Sequence, residues 1–500
     1  MLKKTLIANY IGQGWSALMG FAFLPAYIHY LGIESYALVG FFAILQAWLS
    51  LLDMGMSTAL NREFARFTGG DGSCETIRDL LRSVEIVVLA LAFLIIIGVA
   101  SSSSWMATYW VASKNLSIDV VVQFFMVAGL VIALRFIEGV YRSALVGLQQ
   151  QVLYNVIASV MATVRGLGAV AVLRWVSPSL NAFIFWQAVV SIITVAILVP
   201  LVYCKIPKSV RSGRFSFHAL GKIRDFAGGV LGMTVLSMLL TQVDKIMLSK
   251  LLSLSEFGYY ILASTTAGVT SVLLGPITQA FFPRLCELHA RGDRVKLAET
   301  FHHGAQLVTI MIGSSAIVLI MLSETFLRLW THDEQLATLV APLLALLVLG
   351  NLLNSLMWIP IQIQLAFGWT SLIIRANILL VIVIVPAILL VTPRFGAIGA
   401  AWIWVILNAS YVIFGMHFIC RRLLKEEKWG WYFQDVLFPI GACLAGVVTT
   451  LMFFDPAERG LIAELAKLIL AASAGFIAAI LAAGRIRKLL HHQFTNWFVK

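Results

Sequence analysis

The stretch Tyr36–Arg62, YALVGFFAILQAWLSLLDMGMSTALNR, runs from Tyr36 to Leu60 with Asp53 as its only charged side chain before Arg62. A helix needs roughly 20 apolar residues to cross a bilayer. In hydrocarbon only helices and closed barrels satisfy their own backbone, and one long continuous run, rather than short alternating ones, means a helix. Gln46, Ser50, Asp53 and Ser57 recur in it at helical spacing, so the helix carries a polar stripe along one face. The whole chain has this character. Of its 500 residues 60% are apolar and 12% charged, and the mean hydropathy is +0.92. Soluble globules carry about 25% charged residues. Polar content is too low for a disordered chain, and five cysteines are too few for a disulfide scaffold.

Outward from this stretch the same reading gives fourteen spans. They are Leu6–Tyr30, Tyr36–Leu60, Ser83–Ser104, Val120–Tyr141, Val152–Leu173, Ala182–Tyr203 and Phe226–Ser249. The second set is Phe257–Phe282, Ala305–Leu327, Ala337–Ile361, Leu372–Val391, Gly396–Ile419, Val436–Phe454 and Leu461–Ala483. The start Met1-Leu2-Lys3-Lys4 resembles a signal sequence. Asn9 and Gln13 interrupt its apolar part, however, and the run is too long for a signal core, so it reads as an uncleaved first helix.

The net charge is +12, which in a soluble protein would suggest nucleic acid. Here the basic residues alternate between loops. With the amino terminus inside, 25 of the 36 Lys and Arg fall in cytoplasmic segments and six in outer ones, which places both ends in the cytoplasm. Cys74, Cys204, Cys286 and Cys420 lie in the same cytoplasmic segments, where thiols stay reduced.

The chain also repeats itself at an offset of about 222 residues: Arg62 matches Arg284, Gly70-Asp71 matches Gly292-Asp293, Asn155 matches Asn377, and Tyr36-Ala37 matches Phe257-Gly258. Six spans separate each pair, so the halves are parallel copies, an arrangement known among transporters. The expected architecture is therefore all-α: two six-helix bundles around a central cavity, plus two C-terminal helices. The division is 1–204, a basic linker 205–225, a second bundle 226–420, and 421–500 with a basic tail in which Trp497 and Phe498 meet lipid.

Repeat transporters place their site between the copies, so polar residues on the spans are the candidates. Gln46 and Asp53 lie on the second span, and Asn351 and Asn354 on the tenth. Arg135, Glu138 and Arg142 share one face of the fourth, Arg165 lies deep in the fifth beside Gly166 and Gly168, and Asp244-Lys245 sits in the seventh. Ser, Thr and Asn also serve ordinary helix packing. A charge at the bilayer centre costs roughly 2.5 to 3.5 kcal/mol even on permissive scales, so it is kept for a reason. Neighbouring helical positions do not face each other, so Asp244 and Lys245 are expected not to pair only with one another. Pro25, Pro276, Pro360 and Pro386 are expected kinks. Phosphate loops, His-Glu-x-x-His and Cys-x-x-Cys are missing, and the first outer loop, Leu31–Ser35, has a single acid. The chain reads as no enzyme, with no cofactor and no metal.

Pro25, Leu31-Gly32, Tyr36, Leu52-Asp53-Met54-Gly55 with Arg62, and Gly147-Leu148-Gln149 with Asn155 resemble the first half of Wzx-type polysaccharide flippases. Gln242-x-Asp244-Lys245, Glu256-Phe257-Gly258-Tyr259-Tyr260, Pro276 and Phe282-Pro283 are similar to the same family's seventh and eighth helices. These proteins form part of the multidrug/oligosaccharidyl-lipid/polysaccharide (MOP) exporter superfamily. Ala37 stands where the family usually has Gly. The resemblance implies a fourteen-helix flippase of a bacterial inner membrane. It would move undecaprenyl-diphosphate-linked oligosaccharide to the outer leaflet by alternating access, with membrane lipids, a polysaccharide polymerase and a chain-length regulator as partners and no nucleic acid. On that reading Arg165, Arg135, Arg142 and Arg62 attract the diphosphate, Asn351, Asn354 and Gln46 line the cavity, and Asp53, Glu138, Asp244 and Lys245 are candidates for ion coupling. The alternatives are a multidrug/cation antiporter of the same superfamily and a non-transporting membrane protein of polysaccharide assembly.

Overall fold

The computed structural model describes residues 12, 14–70, 73–111, 115–207, 211, 213–369, 371–454 and 460–488. Asn9, Gln13, Asp71 and the tail with Trp497 and Phe498 lie outside them. Among the described residues every regular element is helical, and ten helices are long and apolar enough to cross a membrane. Leu24–Asp53 joins the end of the first span to the second, and Ser371–Arg422 joins the eleventh to the twelfth. The joints are Gly32 (φ 78°) and Gly396 (φ 59°), both left-handed, a backbone open to glycine and strained for other residues. The seventh span is the 35-residue helix Phe217–Leu251. The eighth is split by the 3-10 segment Val269–Leu273 into Leu254–Gly268 and Leu274–Ala290. The fourteen-span, all-α architecture is thus accounted for element by element.

Several helices begin earlier than the apolar runs suggest. The third starts at Cys74, the seventh at Phe217 and the ninth at Arg294. Each is preceded by a cap that fixes its start: Ser73 accepts from the Thr76 N–H, Ser216 from the Ala219 N–H, and Asp293 from the Lys296 N–H. Basic residues read as loop, such as Arg78, Arg82 and Lys296, therefore stand on helices.

The repeat is visible in where helices break. The 3-10 turn Ser50–Asp53 has a near counterpart in Val269–Leu273, and left-handed Gly70 has its counterpart in left-handed Gly292. Left-handed Gln149 before helix Gln151–Trp175 corresponds to left-handed Gly368 before helix Ser371–Ser410. Contacts divide the chain into two compact units, Met1–Gly258 and Tyr259–Lys500, so the seventh helix packs with the first unit. In that unit Ala219, Ile223 and Ala227 join Phe64, Leu81, Val84, Leu145, Leu198 and Val202 in one core. The second unit has a core in which Ile310 of the ninth span meets Cys443, Val447, Ala471 and Ala479 of the last two. Small residues bring those last helices together: a Cβ on Gly475 would lie 2.8 Å from Val447. Leu390, Ile406 and Phe93, all strongly exposed, show the outward apolar faces expected against lipid.

Candidate functional site

The second span ends in a device that aims its polar stripe. After the 3-10 turn Ser50–Asp53, Met54 and Gly55 are both left-handed, and a new helix starts at Met56. Asp53 caps it: its carboxylate accepts from the Ser57 N–H at 3.1 and 3.2 Å and from the Ser57 hydroxyl at 2.7 Å. Beside this turn lies a cavity of about 290 Å³ lined by Ser50, Asp53, Ser57, Thr58, Arg135 and Thr234, among others.

Arg135 enters that cavity from the fourth span. Its Nη1 donates to Gln46 Oε1 at 2.6 Å and its Nη2 to buried Gln187 Oε1 at 3.3 Å, while the guanidinium stands 5.3 Å from the centre of the Phe42 ring. Two neighbouring helices thus hold one cation by neutral groups, and its buried Nε lacks a hydrogen-bond partner. Arg165, in the fifth span, lies within electrostatic range of Arg135, Glu138, Tyr154 and Tyr27. Its Nε and Nη2 are buried without hydrogen-bond partners. Arg142, exposed, sits 5.7 Å from the centre of the Tyr154 ring.

The glycines beside Arg165 explain how the fifth span comes close enough. A Cβ on Gly166 would lie 2.2 Å from Phe23, and one on Gly168 would lie 2.2 Å from Trp186. Both positions admit only hydrogen, so the helix lies flush against both aromatic rings.

Within the first unit the structure therefore brings together Arg135, Arg165, Glu138, Gln46 and Asp53, with Arg142 at the margin. Arg62 is exposed on helix Met56–Thr68 and is absent from the cavity wall. Lys245 stands 3.6 Å from the Asp244 carboxylate and donates to the Thr241 carbonyl at 2.8 Å. The lysine stem folds back along its own helix, so Lys245 serves the Thr241 carbonyl as well as Asp244, and the two neighbours do not pair only with one another. In the second unit Trp404 donates to Asn351 Oδ1 at 3.0 Å and Asn354 donates to Asn408 Oδ1 at 2.8 Å, so both asparagines tie the tenth span to the twelfth.

Three polar clusters escaped the sequence reading. Glu34 accepts from the Asn115 side chain at 2.9 Å and from Ser255 at 3.1 Å. Glu85, 3% exposed, accepts from Tyr141 and Tyr203 and faces Arg82 at 3.3 Å. His302 lies between Asp435 and Glu427. Glu85 was legible as a lone carboxylate inside an apolar run. His302 and Asp435 were not, because both fall just outside the apolar runs that defined the ninth and thirteenth spans.

Chemically, the first-unit site offers the Arg135 and Arg165 guanidinium groups with unused donors beside the Asp53 and Glu138 carboxylates; Ser50, Ser57, Thr58 and Thr234 give the cavity hydroxyls, and Leu51, Met54, Phe136 and Leu231 give it an apolar wall. Cations with free donors are suited to an anion, which a guanidinium grips through paired N–H groups. Among the described residues no cluster of His, Cys, Asp and Glu is arranged to hold a metal ion.

A family profile described as "Polysaccharide biosynthesis protein" matches residues 2–289. No curated protein matches by sequence. Among solved structures, the lipid II flippase MurJ in an inward closed conformation is 14% identical with a TM-score of 0.69, over 97% of this chain and 99% of that chain. An inward-facing multidrug resistance transporter of the MATE family, in the MOP superfamily, is 14% identical with a TM-score of 0.65, over 84% of this chain and 96% of that one. A MOP superfamily transporter from Pyrococcus furiosus, described as having a binding pocket of reverse polarity, is 13% identical with a TM-score of 0.51, over 84% and 92%. At these identities the likeness is one of fold.

Proposed function

This chain belongs to the polysaccharide biosynthesis protein family, and from that premise we propose that it is a flippase for a polyprenyl-diphosphate-linked oligosaccharide. The observation that carries the reading is the pair Arg135 and Arg165, half-buried in the first unit, with Arg135 Nε and Arg165 Nε and Nη2 as buried donors left over. A lipid-linked oligosaccharide presents a diphosphate beside a hydroxyl-rich glycan. Guanidinium donors match the first, and Gln46, Ser50, Ser57, Thr58 and Thr234 match the second. Arg142, near the cytoplasmic end that the charge bias assigns, attracts the headgroup first, and Arg135 and Arg165 receive it deeper in. Glu138 keeps the two cations tolerable while the site is empty. Alternating access then delivers the headgroup to the outer leaflet of a bacterial inner membrane, where a polymerase and a chain-length regulator take it up.

Asp53 speaks for a second reading, a cation antiporter, because its carboxylate shares the cavity with Arg135. Its oxygens are already engaged by Ser57 at the start of the next helix, and Arg135 shares the cavity, which favours the anionic substrate. The test is complementation of a strain deficient in glycan export at matched expression. Arg165→Ala abolishes surface polymer and Arg165→Lys restores part of it; normal polymer from the alanine variant removes Arg165 from the site. Export of cationic dyes by vesicles holding the wild-type chain would favour the antiporter.

A further inference from the structure

His302 stands two turns into the helix Arg294–Val308, and its side chain is fully buried. Both ring nitrogens meet carboxylates. Nδ1 bonds Asp435, which is also fully buried, and Nε2 lies 2.9 Å from Glu427, whose side chain is 35% exposed. Gln306, one turn further along, donates to the other Asp435 oxygen at 3.0 Å and to the Gln434 carbonyl at 3.3 Å, and accepts from the Ile486 N–H at 3.2 Å. This knot ties the ninth span to the entry of the thirteenth and to the residues that follow the fourteenth. His302 and Asp435 are 133 residues apart in sequence.

The valence count is short by one proton. A neutral imidazole has one N–H and one lone pair, and an ionised carboxylate only accepts. Two histidine-to-carboxylate bonds at once therefore require an imidazolium, or a carboxylic acid facing the lone pair. The charged neighbours leave this requirement in place. Arg485 and His303 act on Asp435, and Glu299 faces His303. Lys428 is turned away, 3.2 Å from His417 Nδ1 and 5.3 Å from the centre of the Trp429 ring.

We propose that His302, Asp435 and Glu427 form a proton-binding site that fastens the last two spans to the ninth. With the proton bound, both contacts close. When it leaves, a lone pair faces a carboxylate; the contact to solvent-accessible Glu427 opens while the buried Asp435 contact is kept. The clip is thus closed at lower pH and released as the pH rises. The proposal rests on the second unit alone and is independent of what the protein transports.

The full-length protein in nanodiscs tests it by two readings. In 15N-histidine spectra, with the His302 signals assigned by their loss in His302→Gln, both ring nitrogens are expected to carry protons at about pH 6 and only one at about pH 9. Hydrogen exchange of residues 428–437, corrected for its intrinsic pH dependence, is expected to lose protection about tenfold over that range. In Glu427→Gln the new amide can donate to the lone pair or accept from the N–H, so the contact persists and the pH step disappears. A His302 ring carrying a single proton throughout the range, or an unaltered step in Glu427→Gln, overturns the proposal. Because Glu427 lies on the accessible arm of the knot, that variant tests the idea even if His302→Gln does not fold.

Discussion

Arg165 shows how a single residue reports on its surroundings. It was legible as the deepest cation in an apolar run, and the two glycines that follow it, Gly166 and Gly168, were legible as a narrow place on the helix. The sequence could not tell that Phe23 and Trp186 fill those places, since neither pairing leaves a mark in local spacing. A methyl group at Gly168 would overlap Trp186, and overpacking of this kind costs about 1–3 kcal/mol. Gly168→Ala should lower the thermal midpoint of the detergent-solubilised protein, whereas Gly14→Ala, which meets nothing within 4 Å, should leave that midpoint unchanged. Equal melting of the two variants would contradict the packing described. Ala37 gives a similar lesson. A Cβ on Gly258 would lie 2.7 Å from the Ile33 carbonyl and 3.3 Å from the Ala37 methyl, so Ala37 is accommodated because Gly258 has no side chain.

At the scale of the element, the long helices were legible from apolar runs, and their starts were not. Hydropathy marks where a helix enters lipid, whereas a cap marks where it begins, and the two differ by about two and a half to three helical turns at Ser73, Ser216 and Asp293. That gap hid His302, since the apolar run opens only at Ala305. The Asp293 cap also carries a pH signature. Backbone donation from Lys296 holds its carboxyl below the usual aspartate range. A lowered value means the cap helps above the ordinary aspartate pKa and is lost as pH falls through the folded-state value. Asp293→Asn keeps a capping oxygen without a titrating group, so exchange at residues 294–297 should become insensitive to acid in the variant and remain acid-sensitive in the wild type. The joints between spans make a further claim. Gly32 and Gly396 adopt backbone angles that other residues reach at a cost of about 1–3 kcal/mol, so alanine at either position should destabilise the solubilised chain.

Over the whole molecule, what the sequence revealed best was its periodicity. Four residue matches suggested two copies, and the structure places left-handed Gly70 and Gly292 at corresponding positions, with 3-10 turns close to corresponding positions in each. Helix breaks are set by a few local residues, so they survive where side chains diverge. Packing partners are set at a distance and had to be seen: Gln187 on Arg135, and Trp404 on Asn351. The orientation expected from the basic loops makes its own prediction. Cys204 is exposed and Cys74 and Cys286 are half-buried, all three as free thiols. A membrane-impermeant maleimide should label them only after the membrane is breached; labelling with the membrane intact would reverse the topology.

The central claim is that the Arg135 and Arg165 guanidinium groups hold a diphosphate. Binding of undecaprenyl diphosphate to the purified chain, compared with Arg135→Gln, Arg165→Gln and the double variant by native mass spectrometry, tests it most directly. The account predicts retention by the wild type and a loss of about tenfold or more in each single variant, since a charge-assisted contact to an ion is worth about 1.5–3 kcal/mol. Equal retention by all four proteins would contradict it.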